Sequence, residues 1–269
     1  MSKFALRSLF RLGAVVLTAG LLAVGSVGQV EAQRPHYWSG YYVGVQAGYH
    51  WGAGSASLSL KPDLPTWLSY SPDYAQFHGR YDHTVDGPLW GAQLGFNWRS
   101  GTLVFGMEAD LARLSAEARA QRTALVDHGG TDFLVRGESQ QEIDWLGTLR
   151  GRFGILLLDD RRLLVYLTGG LAYGRVSTAH AATNITLDGG FEGSSSGWEV
   201  GGTVGAGLEL VIQGGWTLKA EYLYYDLGSR RVGSVHVNLS DPPEFGADAR
   251  YELQGHIARV GLNYRLGGF

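Results

Sequence analysis

Between Trp216 and Tyr225 the chain alternates with a period of two, and that alternation constrains the fold more than any other feature. Trp216, Leu218, Ala220, Tyr222 and Tyr224 fall on one face; Thr217, Lys219, Glu221, Leu223 and Tyr225 fall on the other. Successive side chains of a strand point to opposite sides, so this segment reads as a strand with one apolar side and one side holding a Lys and a Glu. Aromatic residues also sit at both ends of the apolar side, as they do where a strand crosses a bilayer.

The same design recurs with no helix between copies. It predicts eight strands, at about Gly40–Trp51, Leu89–Trp98, Thr102–Leu111, Gln141–Gly154, Leu163–Arg175, Gly197–Leu210, Trp216–Tyr225 and Leu253–Leu266. The facing of Leu163–Arg175 stays open, because both of its sides are apolar or Gly. Short connections fall at Arg99–Gly101, Leu158–Arg161 and Gln213–Gly215. Long ones fall at about Gly52–Val85, Ala112–Gln140, Val176–Ser196 and Asp226–Arg250. Within the second, Leu111–Arg122 is rich in Ala, Arg and Glu and suits a short helix; the preferred reading is a strand running into an ordinary loop.

Strands of about ten residues match what a tilted strand needs to cross the hydrocarbon layer, and a closed ring satisfies every backbone group there. The expected fold is therefore all-β: an eight-stranded antiparallel up-and-down transmembrane β-barrel with four long extracellular loops and three short periplasmic turns. A soluble barrel of the lipocalin kind is the competitor. It would crowd Gly onto the outer face and put Trp90, Trp98, Trp145, Trp198 and Trp216 inside, although these lie near strand ends as membrane girdles do.

Composition narrows the class. Charged residues make up 17 % of the chain, against roughly 25 % in an average soluble domain. After the N-terminal segment no apolar run is long enough for a spanning helix. There is no Cys, which removes a disulfide scaffold and a thiolate metal site. The formal charge of −3 with no basic block gives no nucleic-acid footprint. Lys3, Arg7 and Arg11 precede the apolar stretch Leu12–Val24, and Val30-Glu31-Ala32 is a small-x-small cleavage site. Residues 1–32 therefore read as an export signal and 33–269 as the barrel domain.

On the inward side the alternation places Glu108, Asp110, Glu142, Asp144, Arg150, Arg152, Glu199, Glu209, Lys219, Glu221, Arg259 and Arg265. Eight strands leave an interior that side chains just fill, so these charges must pair. Arg150 and Arg152 are expected to face Glu108 and Asp110, and Lys219 to meet Glu199, Glu209 or Glu221. A polar core that holds the barrel is the first reading. A narrow polar pore is the second, since inward Gly201, Gly205, Gly207 and Gly261 leave room for water. On the outward side Tyr41, Trp90, Trp98, Trp145, Trp198, Trp216, Tyr222, Tyr224 and Tyr264 are expected to form aromatic girdles.

Several segments carry a family likeness: Tyr41-Tyr42-Val43-Gly44, Gly91–Trp98, Phe105–Asp110, Asp144–Arg152, Tyr166–Gly174, Leu218–Tyr222 and Val260–Arg265. In this order the mature chain resembles the small eight-stranded outer-membrane proteins of Gram-negative bacteria, the opacity-protein and small-porin group in particular. The resemblance implies the bacterial outer membrane as location, with its lipid and lipopolysaccharide as partners. It also implies an aromatic terminus, here Phe269, read by the β-barrel assembly machinery. Host surfaces and peptidoglycan-associated proteins are further partners it suggests. Members of this group are not enzymes, and the role implied is envelope-structural and surface-interacting.

Other motifs point elsewhere. Gly193-Ser194-Ser195-Ser196-Gly197 matches a nucleophile elbow, which needs a strand before it and a helix after it; here a strand follows. Glu108 and Asp110 have the spacing of an acid/base pair, but beside arginines they read as salt-bridged. Asn184-Ile185-Thr186 and Asn238-Leu239-Ser240 are chance glycosylation matches in a bacterial envelope. His78, His83, His128, His180 and His236 all fall in the long connections, where loops gathered at one barrel end offer a haem or metal site. None has helical ligand spacing, so no cofactor is expected.

Overall fold

A computed structural model describes residues 38–60, 79–128, 131–158, 161–184, 189–233, 235–237 and 247–267. The export signal expected over 1–32, and Phe269, lie outside these. The described residues form nine strands: β1 (Gly40–Leu60), β2 (Gly79–Ser100), β3 (Leu103–His128), β4 (Thr131–Leu157), β5 (Leu163–Asn184), β6 (Gly189–Val211), β7 (Trp216–Gly233), β8 (Val235–Val237) and β9 (Ala247–Gly267). Eight of them hydrogen-bond in the order β5-β4-β3-β2-β1-β9-β7-β6, and β6 pairs again with β5. Every pairing is antiparallel, so the sheet is a closed up-and-down ring with no free edge. The three-residue β8 adds to the upper end of β6.

Cross-strand partners followed once round the ring do not return to their start. From Trp198 the ladder runs through Arg175, Trp145, Arg113, Trp90, Ala47, Val260 and Ala220, and meets β6 again at Leu208. This stagger is what closing a barrel requires, and it tilts the strands by about 40°. The short connections fall where the spacing placed them. Gly214 (φ 60°) and Gly215 (φ 86°) turn β6 into β7 in the left-handed region that Gly tolerates.

The long connections differ from expectation. The eight ring strands run 18 to 27 residues, more than the roughly 9–11 that cross hydrocarbon. Most of Ala112–Gln140 and Val176–Ser196 is strand, as are the outer parts of Gly52–Val85 and Asp226–Arg250. Leu111–Arg122, with its helix-forming composition, is the middle of β3. The reason lies in how each strand changes character. On β3, Leu103, Phe105, Met107 and Leu111 point out, while Glu108 and Asp110 point in. Farther up, Ser115, Glu117 and Arg119 point out, and Ala112, Leu114, Ala116 and Ala118 are buried inside. The strand passes from lipid into water, so its polar and apolar faces exchange. The membrane pattern is lost there, but the alternation is not.

A β-bulge corrects a second expectation. Ile143 and Trp145 of β4 oppose the consecutive Val176 and Arg175 of β5, so Asp144 is an extra residue. It resets the phase. Ile143 and Gln141 turn inward, and Glu142 and Asp144 move to the outer face, outside the interior network. The facing of β5 is also settled: Leu164, Tyr166, Thr168, Ala172 and Val176 point in.

Backbone amides of 112–122 should exchange with deuterium as slowly as those of 104–110 in the membrane belt, because both carry ladder bonds. Fast exchange confined to 112–122 would show that β3 ends at the interface.

Candidate functional site

Strands β3, β4, β6, β7 and β9 bring eight charged side chains into one layer at mid-barrel. Glu108, Asp110, Glu209 and Glu221 are the carboxylates; Arg150, Arg152, Lys219 and Arg259 are the cations, and all eight are buried. Alternation puts them inside, and the register fixes the pairs: Glu108 lies across from Arg150, Glu209 from Lys219, and Glu221 from Arg259.

The contacts then run beyond ladder neighbours. Arg150 reaches Asp110 at 3.0 Å and Glu221 at 2.9 Å, besides its bond to Glu108, and its Nε donates to the Thr148 hydroxyl at 2.7 Å. Arg259 meets Asp110 at 2.9 Å and Glu221 through Nε at 2.7 Å. Lys219 lies 2.8 Å from Glu108 and 3.8 Å from Glu221, and donates to Gln93 as well. Arg152 pairs with Glu209, and its guanidinium sits 4.2 Å from the centre of the Tyr166 ring. Neutral donors satisfy the remaining carboxylate oxygens. Tyr42 donates to Glu108 at 2.7 Å, Tyr166 to Glu221 at 2.8 Å, and Thr217 and Asn263 to Glu209 at 2.6 and 2.9 Å.

The expected residues are thus only partly brought together. Arg150 contacts both Glu108 and Asp110, and Arg152 is 3.4 Å from Glu108. Lys219 meets Glu108 and Glu221, not Glu199 or Glu209. Glu199 lies higher, near the mouth, bridged to Arg230 at 2.9 Å. Asp144 bridges Arg113 on the outer face at 3.2 Å, and Glu142 is half-exposed there. Arg265 stands opposite Tyr42 at the turn end of β9, half-exposed and below the layer. Sequence reasoning missed Tyr42, Tyr166, Gln93, Thr148, Thr217 and Asn263. Their inward phase was the available signal, but neutral side chains do not stand out in a charge inventory.

Apolar clusters flank the charge layer on either side. Toward the turns, Trp38, Val104, Leu156, Leu164, Tyr166 and Val211 pack together, and the Trp38 indole donates to the Arg161 carbonyl at 2.8 Å. Toward the long end lies a larger cluster that includes Leu89, Leu114, Ile143, Leu223, Tyr251 and Ile257. At several inward glycines a larger side chain takes the space that a Cβ would need. A Cβ at Gly207 would strike the Tyr166 ring, one at Gly95 the Tyr42 ring, and one at Gly205 the Leu223 side chain. Their missing side chains are the space these larger ones occupy.

On the outer face, aromatic residues mark two levels. Near the turns stand Tyr41, Trp98, Trp216 and Tyr264, with Trp216 and Tyr264 rings 4.9 Å apart and Phe105 and Phe153 rings 5.1 Å apart. Higher up stand Trp90, Trp145, Trp198, Tyr222 and Tyr224, joined by Trp51 and His256, whose rings are 6.0 Å apart. Trp90, Leu94, Met107, Leu167 and Val204 between or at these levels are each about 60 % or more exposed, as a lipid-facing belt is.

His180 is buried on β5 opposite Gly193, while His83, His128 and His236 lie on β2, β3 and β8 with no ladder pairing among them. His78 lies outside the described residues. Among those described, no three His, Asp or Glu side chains gather as metal ligands. Gly193–Gly197 lies within β6, without the helix an elbow needs.

The sequence matches the family model described as outer membrane protein beta-barrel domain over residues 19–265. It is 34 % identical over 232 residues to the 31 kDa outer-membrane immunogenic protein of Brucella melitensis, covering 85 % of this chain and 84 % of that one. It is 26 % identical over 239 residues to the 25 kDa outer-membrane immunogenic protein of Brucella abortus, covering 88 % and 83 %. Among solved structures it is similar to the outer membrane protein OprG of Pseudomonas aeruginosa, with a TM-score of 0.44 and 12 % identity, covering 87 % of this chain and 99 % of that one.

Arg150→Ala should leave Glu108, Asp110 and Glu221 short of a cation inside a dry layer and destabilise the barrel by about 3–5 kcal/mol. Arg113→Ala, which loses only a half-exposed bridge, should cost at most about 1 kcal/mol. Urea unfolding in detergent compares them; equal midpoints for Arg150→Ala and the unaltered chain would mean the layer is wet.

Proposed function

This chain belongs to the outer membrane protein β-barrel family, and from that premise we propose that it is a non-conducting barrel with an envelope-structural and surface-interaction role. The observation that carries this reading is the filled interior: a neutralised charge layer between two apolar layers. A conducting path needs a continuous column of water. Here an ion leaving the charge layer in either direction would enter apolar packing and lose its hydration.

The upper halves of the strands give the surface role its form. They extend the ring past the lipid belt as a paired sheet, polar outside and mainly apolar inside, and so present a stiff platform to the medium. Contacts with lipopolysaccharide, host surfaces or peptidoglycan-associated proteins belong to this reading, as does delivery by the β-barrel assembly machinery. It assigns the chain no catalysis: the acidic residues with acid/base spacing, Glu108 and Asp110, are buried and ion-paired, out of a substrate's reach.

Planar-bilayer recording of the refolded mature chain, with heat-modifiable electrophoretic mobility as proof of folding, should give no discrete steps. Reproducible unitary conductance would replace this proposal with a small-solute porin.

A further inference from the structure

One row of the ladder sets Trp and Arg alternately across five adjacent strands. Trp90 of β2 pairs with Arg113 of β3, Arg113 with Trp145 of β4, Trp145 with Arg175 of β5, and Arg175 with Trp198 of β6. All five point out of the barrel. Trp90 and Trp198 are 65 % and 57 % exposed, Arg175 is exposed, and Arg113 and Trp145 are half-exposed. The strands tilt by about 40°, so the row climbs obliquely instead of lying flat. On the same strands the exposed Leu111, Leu149 and Leu171 lie on its lipid side, and Glu117 and Arg119 lie on its water side. The row therefore passes through the level where hydrocarbon gives way to headgroups.

Indole rings favour that level. Two guanidiniums there need anions. Arg113 sits 5.3 Å from the centre of the Trp145 ring and bridges Asp144 at 3.2 Å, with side chains 43 % and 23 % exposed. Such a bridge is worth little and exchanges readily. Among the described residues Arg175 has no carboxylate partner. Glu199, next to Trp198 in sequence, faces the interior and is held by Arg230, and Glu142 is half-exposed farther up β4. Round the rest of the ring the row continues as Ala47, Val260 and Ala220, with neither cation nor Trp. At the upper level β1, β7 and β9 carry Trp51, Tyr222, Tyr224 and His256 in its place.

We propose that Arg113 and Arg175, framed by Trp90, Trp145 and Trp198, bind the phosphates of a bisphosphorylated lipid of the outer leaflet. Guanidinium is the side chain that best matches phosphate geometry. The two cations stand two strand spacings apart, about 10 Å, which suits two phosphates on one headgroup better than a single phosphate. The flanking indoles supply apolar contact to a lipid, which free phosphate has no use for. The inference rests on the outer-membrane reading above.

The mature chain is refolded into phosphatidylcholine vesicles containing bisphosphorylated lipid A or, separately, phosphatidylglycerol as a singly charged control. Lipid retained after extraction into mild detergent is measured by native mass spectrometry. The chain and Arg231→Gln, an exposed cation outside the row, should retain lipid A in preference to phosphatidylglycerol. Each of Arg113→Gln and Arg175→Gln should lower retention about fivefold, the scale of one basic residue at an anionic lipid surface, and the double variant should lose the preference. Equal retention by the double variant and the unaltered chain would overturn the site, and so would full displacement of lipid A by inorganic phosphate. Failure of the chain to insert into any vesicle would instead count against the outer-membrane reading itself.

Discussion

Ionised side chains inside a barrel too narrow for bulk water must neutralise one another, and the rest of this structure follows from how they do so. Four carboxylates face four cations, and each carboxylate also receives a hydroxyl, amide or second cationic donor. Removing one member strands several others, because Arg150 alone touches Glu108, Asp110 and Glu221. Such a layer ties β3, β4, β6, β7 and β9 across the interior as well as around the ring. It also fixes which inward positions must be small, since Tyr42 and Tyr166 reach the layer only by lying over Gly95 and Gly207.

The second constraint is the change of solvent along each strand. In the belt the outside is hydrocarbon, so apolar residues face out and the charge layer is within. Above the belt the outside is water, so Glu117 and Arg119 face out and Leu114 and Ala116 pack within. One continuous strand thus carries two opposite amphipathic patterns. The inner apolar cluster produced by the upper pattern is also what covers the charge layer from above.

The outer face divides by sector in the same upper zone. On β2 to β6 the interface carries alternating Trp and Arg, whereas on β1, β7 and β9 Trp51, Tyr222, Tyr224 and His256 stack against one another. The first sector mixes indoles with guanidiniums, and the second is a cluster of stacked rings. A barrel surrounded by uniform lipid has no need of that difference.

The sequence by itself determined the membrane-facing half of this protein. Period-two alternation in Trp216–Tyr225 and its counterparts carries strand identity, facing on every ring strand but β5, turn placement and most of the charge layer, because each follows from local geometry and from lipid as the outer solvent. Only the tertiary structure decided the rest. The bulge at Asp144 expels Glu142 and Asp144 from the interior, and no local signal marks it, since a bulge is defined by mismatch with β5. Continuation of β3 through Leu111–Arg122 depends on pairing with β4, which overrides helix-forming composition. Whether inward glycines hold water or make room for Tyr166 and Leu223 depends on what the neighbouring strand delivers opposite them. The Trp–Arg row exists only once five strands lie in register, for its members are scattered from Trp90 to Trp198 along the chain and meet through the barrel's stagger alone.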